Sequence, residues 1–297
     1  MDDMLTVAII TYNPDIALLR KNILSFYKYI EGFLIVDNGS ANVNDIENLI
    51  ISLGDQKITL IKNKKNLGIG QALNIALKWS KKNNYHWFMT LDQDSVCAPN
   101  YFEEILPMLD STNVGIIYPN IIDERQFVGF INNRSIVGSI MENFKLQIKR
   151  FFTAGVVLPI TSGAVTNTGI ATKIGGYCES MFIDGVDFDF ALKIYEAGFS
   201  IIPCRKAVLY HNLGSPTSVD IAGVRLTASG HNSTRCYYMN KNSWYLFYKH
   251  HKCFLRWTIY NILAALFMGF RNAIVSKRYV EFIHQTIKGQ INGMTKS

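Results

Sequence analysis

An α/β protein with a mostly parallel, Rossmann-like sheet and helices on both faces is the fold that this sequence predicts. Two observations point to it. Short apolar runs of strand length alternate with longer segments of helical periodicity through the first ninety or so residues. Polar clusters close four of these runs, where an open parallel sheet presents its carboxyl ends to ligands.

Thr6-Val-Ala-Ile-Ile-Thr11 is a buried-strand pattern, broken by Tyr12-Asn13-Pro14 and followed by an apolar-periodic helix from about Ile16 to Ile30. Phe33-Leu-Ile-Val36 is a second strand that ends in Asp37-Asn-Gly-Ser40. A helix near Ile46 to Leu53 leads to a third strand, Ile58 to Ile61. Asn66-Leu-Gly-Ile-Gly70 then opens a helix to about Lys82, and Trp87 to Leu91 is the fourth strand, closed by Asp92-Gln-Asp94. After Leu109 the rhythm loosens. Val114 to Tyr118 reads as a strand, but Asp123 to Phe152 mixes Asn, Arg, Gly and Lys with scattered aromatics, an excursion of the size that usually carries function. Regularity returns at Leu158 to Thr166, with a short helix at Thr168 to Ile174. A further helix runs from about Val186 to Ala197 with Gly198 as its cap, and Val208-Leu-Tyr-His211 places a histidine at a strand end.

The C-terminal stretch differs in kind. Trp257 to Phe270 is apolar apart from Thr258 and Asn261, and it lies between Lys249, Lys252 and Arg256 on one side and Arg271, Lys277 and Arg278 on the other. Fourteen helical residues extend about 21 Å, short of a hydrocarbon core of roughly 30 Å. Amphipathic helices lying in a membrane interface fit this pattern, and a packing or homodimer helix fits it too. The expected division is therefore a catalytic-type domain over residues 1–250 and a helical segment over 251–297.

Composition narrows the partners. Apolar residues make up 48% of the 297, charged residues 18%, and the net charge of +7 favours an anionic partner. The five cysteines form no Cys-x-x-Cys pair, which implies a reducing compartment and no zinc site. Asp2 and Asp3 stand where a secretory leader has basic residues, so a cytoplasmic location is expected. Basic residues are scattered rather than striped, which argues against nucleic acid. A dehydrogenase is disfavoured because Gly68 and Gly70 are followed by Ala72 and Leu73 rather than by the dinucleotide glycine pattern.

Asp92 and Asp94 are two hard oxygen donors one residue apart, suited to Mg²⁺ or Mn²⁺ bridging a nucleotide diphosphate. Exposed turns also collect aspartates, so the pair means little alone. Its company is Thr11-Tyr12-Asn13, Asp37-Asn38 and Asn66-Leu-Gly68, which at one sheet edge describe a nucleotide pocket. Asp37 is placed to accept from a base or ribose. A second carboxylate group, Asp184, Asp187 and Asp189, opens a helix beside Glu179, where macrodipole capping accounts for some acid but not for so many. One of these carboxylates, set against Phe182 and Phe188, suits a general base. His211 is either structural or a further metal ligand.

From residue 5 to about residue 250 the chain resembles family 2 inverting glycosyltransferases of the GT-A fold, in particular their bacterial rhamnosyltransferase branch. The matching segments are Val7-Ala-Ile-Ile-Thr-Tyr-Asn13, Val36-Asp-Asn-Gly-Ser40, Asn66-Leu-Gly-Ile-Gly70, Leu91-Asp-Gln-Asp-Ser95, Thr161-Ser-Gly-Ala-Val-Thr-Asn167, Lys173-Ile-Gly-Gly-Tyr177 and Met181-Phe-Ile-Asp-Gly-Val-Asp-Phe-Asp189. The resemblance implies that Thr11 and Asp37 hold the nucleoside, Asp92 the ribose or diphosphate, Asp94 and His211 a divalent cation, and that Asp187 is the base. Arg235-Cys-Tyr-Tyr-Met-Asn-Lys241-Asn242 is similar to a further family segment, in which Lys241 replaces the usual second arginine and so removes a bidentate fork. Arg235 and Lys241, with Asp184 and Asp189, are expected near acceptor or diphosphate. The implied activity is transfer of L-rhamnose from a dTDP-rhamnose donor to a lipid-linked oligosaccharide at the inner leaflet. A UDP-hexose or UDP-N-acetylhexosamine donor is the alternative within enzymes, and a noncatalytic nucleotide-sugar or membrane-surface binding protein is the alternative outside them.

Overall fold

The computed structural model describes residues 4–54, 57–123, 151–153, 156–211, 217–221, 224–228, 230 and 232–295. Most of the expected excursion, residues 124–150, lies outside the described residues. The chain divides into two compact units. Unit 1 takes the described residues within 1–124, 158–182 and 186–212, and unit 2 those within 125–157, 183–185 and 213–297.

Unit 1 is built on an eight-stranded sheet. Its strands are β1 (Leu5–Thr11), β2 (Phe33–Asp37), β3 (Ile58–Lys62), β4 (Trp87–Asp92), β5 (Val96–Cys97), β6 (Val114–Ile122), β7 (Val165–Asn167) and β8 (Ser200–Tyr210), in the order β3-β2-β1-β4-β7-β6-β8-β5. Strands β1 to β4 are parallel; β7 runs antiparallel to β4 and β6, and β5 antiparallel to β8. The helices are α1 (Ile16–Phe26), α2 (Val43–Leu53), α3 (Ile69–Lys82), α4 (Tyr101–Ile105), α5 (Thr168–Lys173) and α6 (Val186–Glu196). Every residue of β1 and β2 is buried, as continuous Val, Ile and Leu runs require when both sheet faces are covered. Local chemistry sets the helix ends. Asp15 accepts from the amides of Ala17 and Leu18 at the start of α1, and Gly198, at φ +80°, closes α6.

The sheet confirms the α/β class and the first four strands to within a residue or two. It also corrects lengths. The first helix stops at Phe26 and continues only as a 3₁₀ turn to Tyr29, and the strand that reaches Tyr210 begins at Ser200 rather than near Val208 because Ser200 to Cys204 also pair with β6, on the far side of an irregularity in register.

Unit 2 holds the hairpin β9 (Thr217–Ile221) and β10 (Val224–Ala228) and the helices α7 (Ser233–Ser276) and α8 (Tyr279–Thr295). Helix α7 is not a rod. Its backbone leaves helical geometry at Phe254 (φ −130°, ψ 43°), and the two limbs fold back on one another. The Asn240 amide donates to the Ala265 carbonyl at 3.3 Å, and the Asn272 amide to the Cys236 sulfur at 3.3 Å. Residue 250, expected as a boundary, thus falls within a bundle of three helical limbs. The isolated fourteen-residue helix expected from Trp257 is replaced by a second limb running to Ser276. Within it the Asn272 amide finds the Cys236 sulfur of the first limb, and by length and composition α7 includes a stretch that could cross a membrane.

One face of this second limb is buried through Thr258, Ala265, Gly269, Asn272 and Ala273. A side chain at Gly269 would meet the Thr286 hydroxyl, and one at Gly289 the Tyr237 carbonyl, so these glycines set how closely α8 approaches. On the opposite face Leu255, Ile259, Leu263, Phe267 and Phe270 are exposed, at helical spacing.

Candidate active site

Sheet register brings the strand-end clusters to one edge. Thr11 pairs with Asp37 across β1 and β2, and Ile10 pairs with Asp92 across β1 and β4. The chain reaches β2 and β3 on one side of β1 and then crosses to β4 on the other. The crevice outside β1 and β4 is therefore a topological switch point, the place where open α/β sheets bind ligands. Gln93 spans that point: its side-chain oxygen accepts from the Tyr12 amide at 2.8 Å, and its amide donates to the Tyr12 carbonyl at 3.4 Å.

Asp37 is 1% exposed. Its carboxylate accepts from the amides of Gly39 (3.2 Å) and Ser40 (3.0 Å) and from the hydroxyls of Thr11 (3.1 Å) and Ser40. These four bonds fill the acceptor capacity of a carboxylate. In this conformation Asp37 builds the turn beneath the pocket rather than pointing an open oxygen into it. Asn13, at φ +48°, accepts from the Ala41 amide and donates its own amide to the Ser40 hydroxyl, both at 2.8 Å. Tyr12 is 48% exposed and is the open member of the first cluster.

Asn38 ties the next loop in. Its side-chain oxygen accepts from the Leu67 amide at 3.1 Å, and its amide donates to the Asn66 side chain at 3.0 Å. Asn66 in turn accepts from the Gly68 amide at 2.9 Å. Gly68 has φ +85°, and a Cβ there would lie 2.7 Å from the Phe182 carbonyl oxygen, so the position admits only glycine. The expected members Thr11, Asn13, Asp37, Asn66 and Gly68 thus form one connected floor.

At the end of β4 the carboxylate found against His211 is that of Asp92. Oδ2 lies 3.6 Å from Nε2, with the Asp92 side chain 44% exposed and that of His211 10%. Asp94 is half-buried in the turn that follows. The register of β5 on β8 explains the histidine. Val96 pairs with Tyr210, so Ser95 and His211 become neighbours one step further along, and the Ser95 hydroxyl lies 2.8 Å from His211 Nδ1. The Thr161–Ala164 loop runs beside β4 and brings the Ser162 hydroxyl to the Asp92 amide at 3.0 Å. Among the described residues no group of three or more His, Cys, Asp or Glu is close enough to hold a metal ion. A carboxylate and an imidazole at an open strand end are nevertheless a donor set for a divalent cation that completes its shell with water and diphosphate oxygens.

The second carboxylate cluster separates into three roles. Asp189 is fully buried in unit 1, with Lys193 at 3.9 Å. Asp184 lies in unit 2 and is gripped by Arg235, whose Nε donates to Oδ2 at 3.1 Å while Nη2 donates to Oδ1. The Asn242 amide adds bonds to the carbonyls of Ile183 (2.9 Å) and Asp184 (2.7 Å), and this grip holds Asp184 at φ +64°. Arg235 and Asp184, both expected near acceptor or diphosphate, are here engaged with each other. Lys241 is half-buried on α7, its carbonyl against Gly293. Asp187 is half-buried in the first turn of α6, and its charge, after burial, helps to keep the Tyr177 phenol protonated. Tyr177 stacks on Phe190 at 4.1 Å, and the Phe188 amide donates to Asp187 Oδ1 at 3.0 Å.

Gln93, Ser95 and Ser162 lie in segments that match the family but are given no role by the sequence; the pairing of Ser95 with Ser162 across 67 residues appears only in the structure.

A mostly parallel sheet with a switch-point crevice and an acidic turn at a strand end is the arrangement of an α/β domain that binds its ligand at the carboxyl edge of the sheet. Residues 6–169 match the family model for glycosyl transferase family 2, and the chain belongs to that family. It is 26% identical over 304 residues to dTDP-rhamnosyl transferase RfbF of Shigella flexneri, covering 100% of this chain and 93% of the relative. Among solved structures it is similar to the mannosyltransferase PcManGT from Pyrobaculum calidifontis, solved in complex with GDP-Man and Mn²⁺. The TM-score is 0.60 at 15% identity, over 99% of this chain and 88% of that one. GalNAc-T7, solved with UDP, GalNAc and Mn²⁺, follows with a TM-score of 0.52 at 14% identity, over 81% of this chain and 50% of that chain. The fold is GT-A, and the protein is a glycosyltransferase.

Proposed function

We propose that the enzyme moves L-rhamnose from dTDP-rhamnose to a hydroxyl of a lipid-linked oligosaccharide, by single displacement with inversion, in the synthesis of a bacterial cell-surface polysaccharide. Similarity to a dTDP-rhamnosyl transferase along the whole chain is the observation that carries the choice of donor. Thr11, Asn13, Asp37, Asn66 and Gly68 shape the nucleoside floor, with Tyr12 exposed at its edge. Asp187 accepts the proton of the attacking hydroxyl as its oxygen closes on the anomeric carbon. Asp92, Asp94 and His211 are the residues that would hold Mg²⁺ or Mn²⁺, and such an ion would supply positive charge beside the departing diphosphate.

A panel of nucleotide sugars, followed by release of nucleoside diphosphate with Mn²⁺ and with EDTA, tests the proposal. Release from dTDP-rhamnose that stops in EDTA is the expected result. Turnover of UDP-hexoses or UDP-N-acetylhexosamines alone would replace the donor, and binding without turnover of any donor would favour a noncatalytic protein.

The enzyme works at the inner face of the plasma membrane, where such an acceptor is anchored. Leu255, Ile259, Leu263, Phe267 and Phe270 form an outward apolar stripe with Lys252 and Arg256 exposed at one end and Lys277 and Arg278 at the other, a pattern complementary to anionic headgroups over an acyl boundary. Wild-type protein should therefore sediment with phosphatidylcholine vesicles containing phosphatidylglycerol, and the double variant Leu263→Glu, Phe267→Glu should stay in solution with an unchanged melting point. If the double variant still sediments, the stripe is not the contact. If it only turns a dimer into a monomer, the stripe belongs to a second copy of the chain.

A further inference from the structure

Two buried hydroxyls at the end of β4 take no part in the reaction just proposed. Ser95 is 0% exposed and Ser162 1%. They link the Asp92 amide to His211. The Asp92 amide donates to Ser162 Oγ at 3.0 Å, Ser162 Oγ lies 2.8 Å from Ser95 Oγ, and Ser95 Oγ lies 2.8 Å from His211 Nδ1. The far ring nitrogen, Nε2, then stands 3.6 Å from the carboxylate of the same Asp92. A path that leaves from an aspartate's backbone and returns to its side chain fixes the ring's direction relative to that carboxylate.

Packing does not require hydroxyls at these positions. Alanine would fill most of the same space without the cost of burying a polar group, roughly 1–3 kcal/mol where its bonds are imperfect. What hydroxyls supply is direction. An imidazole at a strand end has a broad torsion about its ring bond, and the partner of one nitrogen decides where the other points. The separation of 3.6 Å is beyond a good hydrogen bond, so Nε2 is near the Asp92 carboxylate without being closed onto it. The path is also rigidly built. The Ser95 end is set by β5 pairing on β8, and the Ser162 end by the Thr90 hydroxyl, which donates to the Thr161 carbonyl at 2.6 Å, and by the Gly163 amide, which donates to the Thr90 carbonyl at 2.7 Å.

We propose that Ser95 and Ser162 are positioning residues for a divalent cation: they hold His211 by Nδ1 so that Nε2 and the Asp92 carboxylate face one cation together. The proposal rests on the metal-dependent reading above. In the cation-bound form Nδ1–H donates to Ser95, and the lone pair of Nε2 is left for the ion. Losing such a partner of a ligating histidine typically lowers metal affinity by about 10–100-fold.

The test uses the full chain and reads binding rather than turnover. The affinity for whichever of dTDP and UDP the wild type binds is measured by calorimetry with Mn²⁺ and with EDTA, and the ratio of the two is the cation-dependent gain. In Ser95→Ala and in Ser162→Ala the gain should fall about tenfold or more, while affinity in EDTA and the melting temperature hold. His211→Ala is the control for the site itself. A gain lost in His211→Ala but intact in both serine variants overturns the positioning role and leaves the metal site standing. A gain absent in wild type, or unchanged in His211→Ala, removes the metal reading and the proposal with it. Equal loss with Mn²⁺ and with EDTA assigns the serines to the shape of the pocket and also overturns the proposal.

Discussion

Asp187→Asn is expected to lower turnover by about 10²–10⁴-fold, the usual contribution of a general base, while the affinity for nucleoside diphosphate changes less than about twofold. Asp187 is the position at which the resemblance to the family implies the base, and the three carboxylates of its cluster differ in setting. Asp189 is fully buried with Lys193 near it, Asp184 is bonded by the guanidinium of Arg235, and Asp187 is half-buried at the start of α6. Asparagine keeps the shape and removes the basicity. Single-turnover transfer and nucleotide titration on the same preparation check it, and comparable transfer by the variant would remove Asp187 from the mechanism.

Asp37→Ala has an effect of similar size on stability rather than on chemistry. Four donors converge on one carboxylate that is 1% exposed, and alanine leaves two amides and two hydroxyls without that acceptor. The expected loss is about 3 kcal/mol, a fall of roughly 6–12 °C in melting temperature for a protein unit of this size. Nucleotide affinity should fall with it, because the same turn supports Asn13. A melting point within a degree or two of wild type would mean that Asp37 is bonded mainly by ligand and that the turn stands without it.

The first four strands were legible because each is a run of apolar residues closed by a polar cluster, and burial on both sheet faces enforces that pattern. Asp92-Gln-Asp94 was legible for the same reason. His211 could be suspected as a strand-end histidine, but its closeness to Asp92 rather than to any other carboxylate depends on β5, a two-residue strand too short to carry any periodicity. The long α7 was read as an isolated short helix because basic residues interrupt its apolar run. Reversal at Phe254 lets those interruptions sit at limb ends or inside a bundle, and no residue type at that position announces a turn.

By itself the sequence determined the α/β class, the edge of the sheet at which the strand-end polar clusters gather, and the acidic turn. These follow from periodicity and from short-range chemistry, which act over a few residues and so leave a local record. Only the tertiary structure decided which carboxylate meets the histidine, that Arg235 grips Asp184, that Asp37 is occupied by its own turn, and that two serines link the Asp92 amide to His211. Each of these depends on strand register or helix reversal between segments far apart in the chain, and register is set by the packing of the whole sheet rather than by either partner's neighbours.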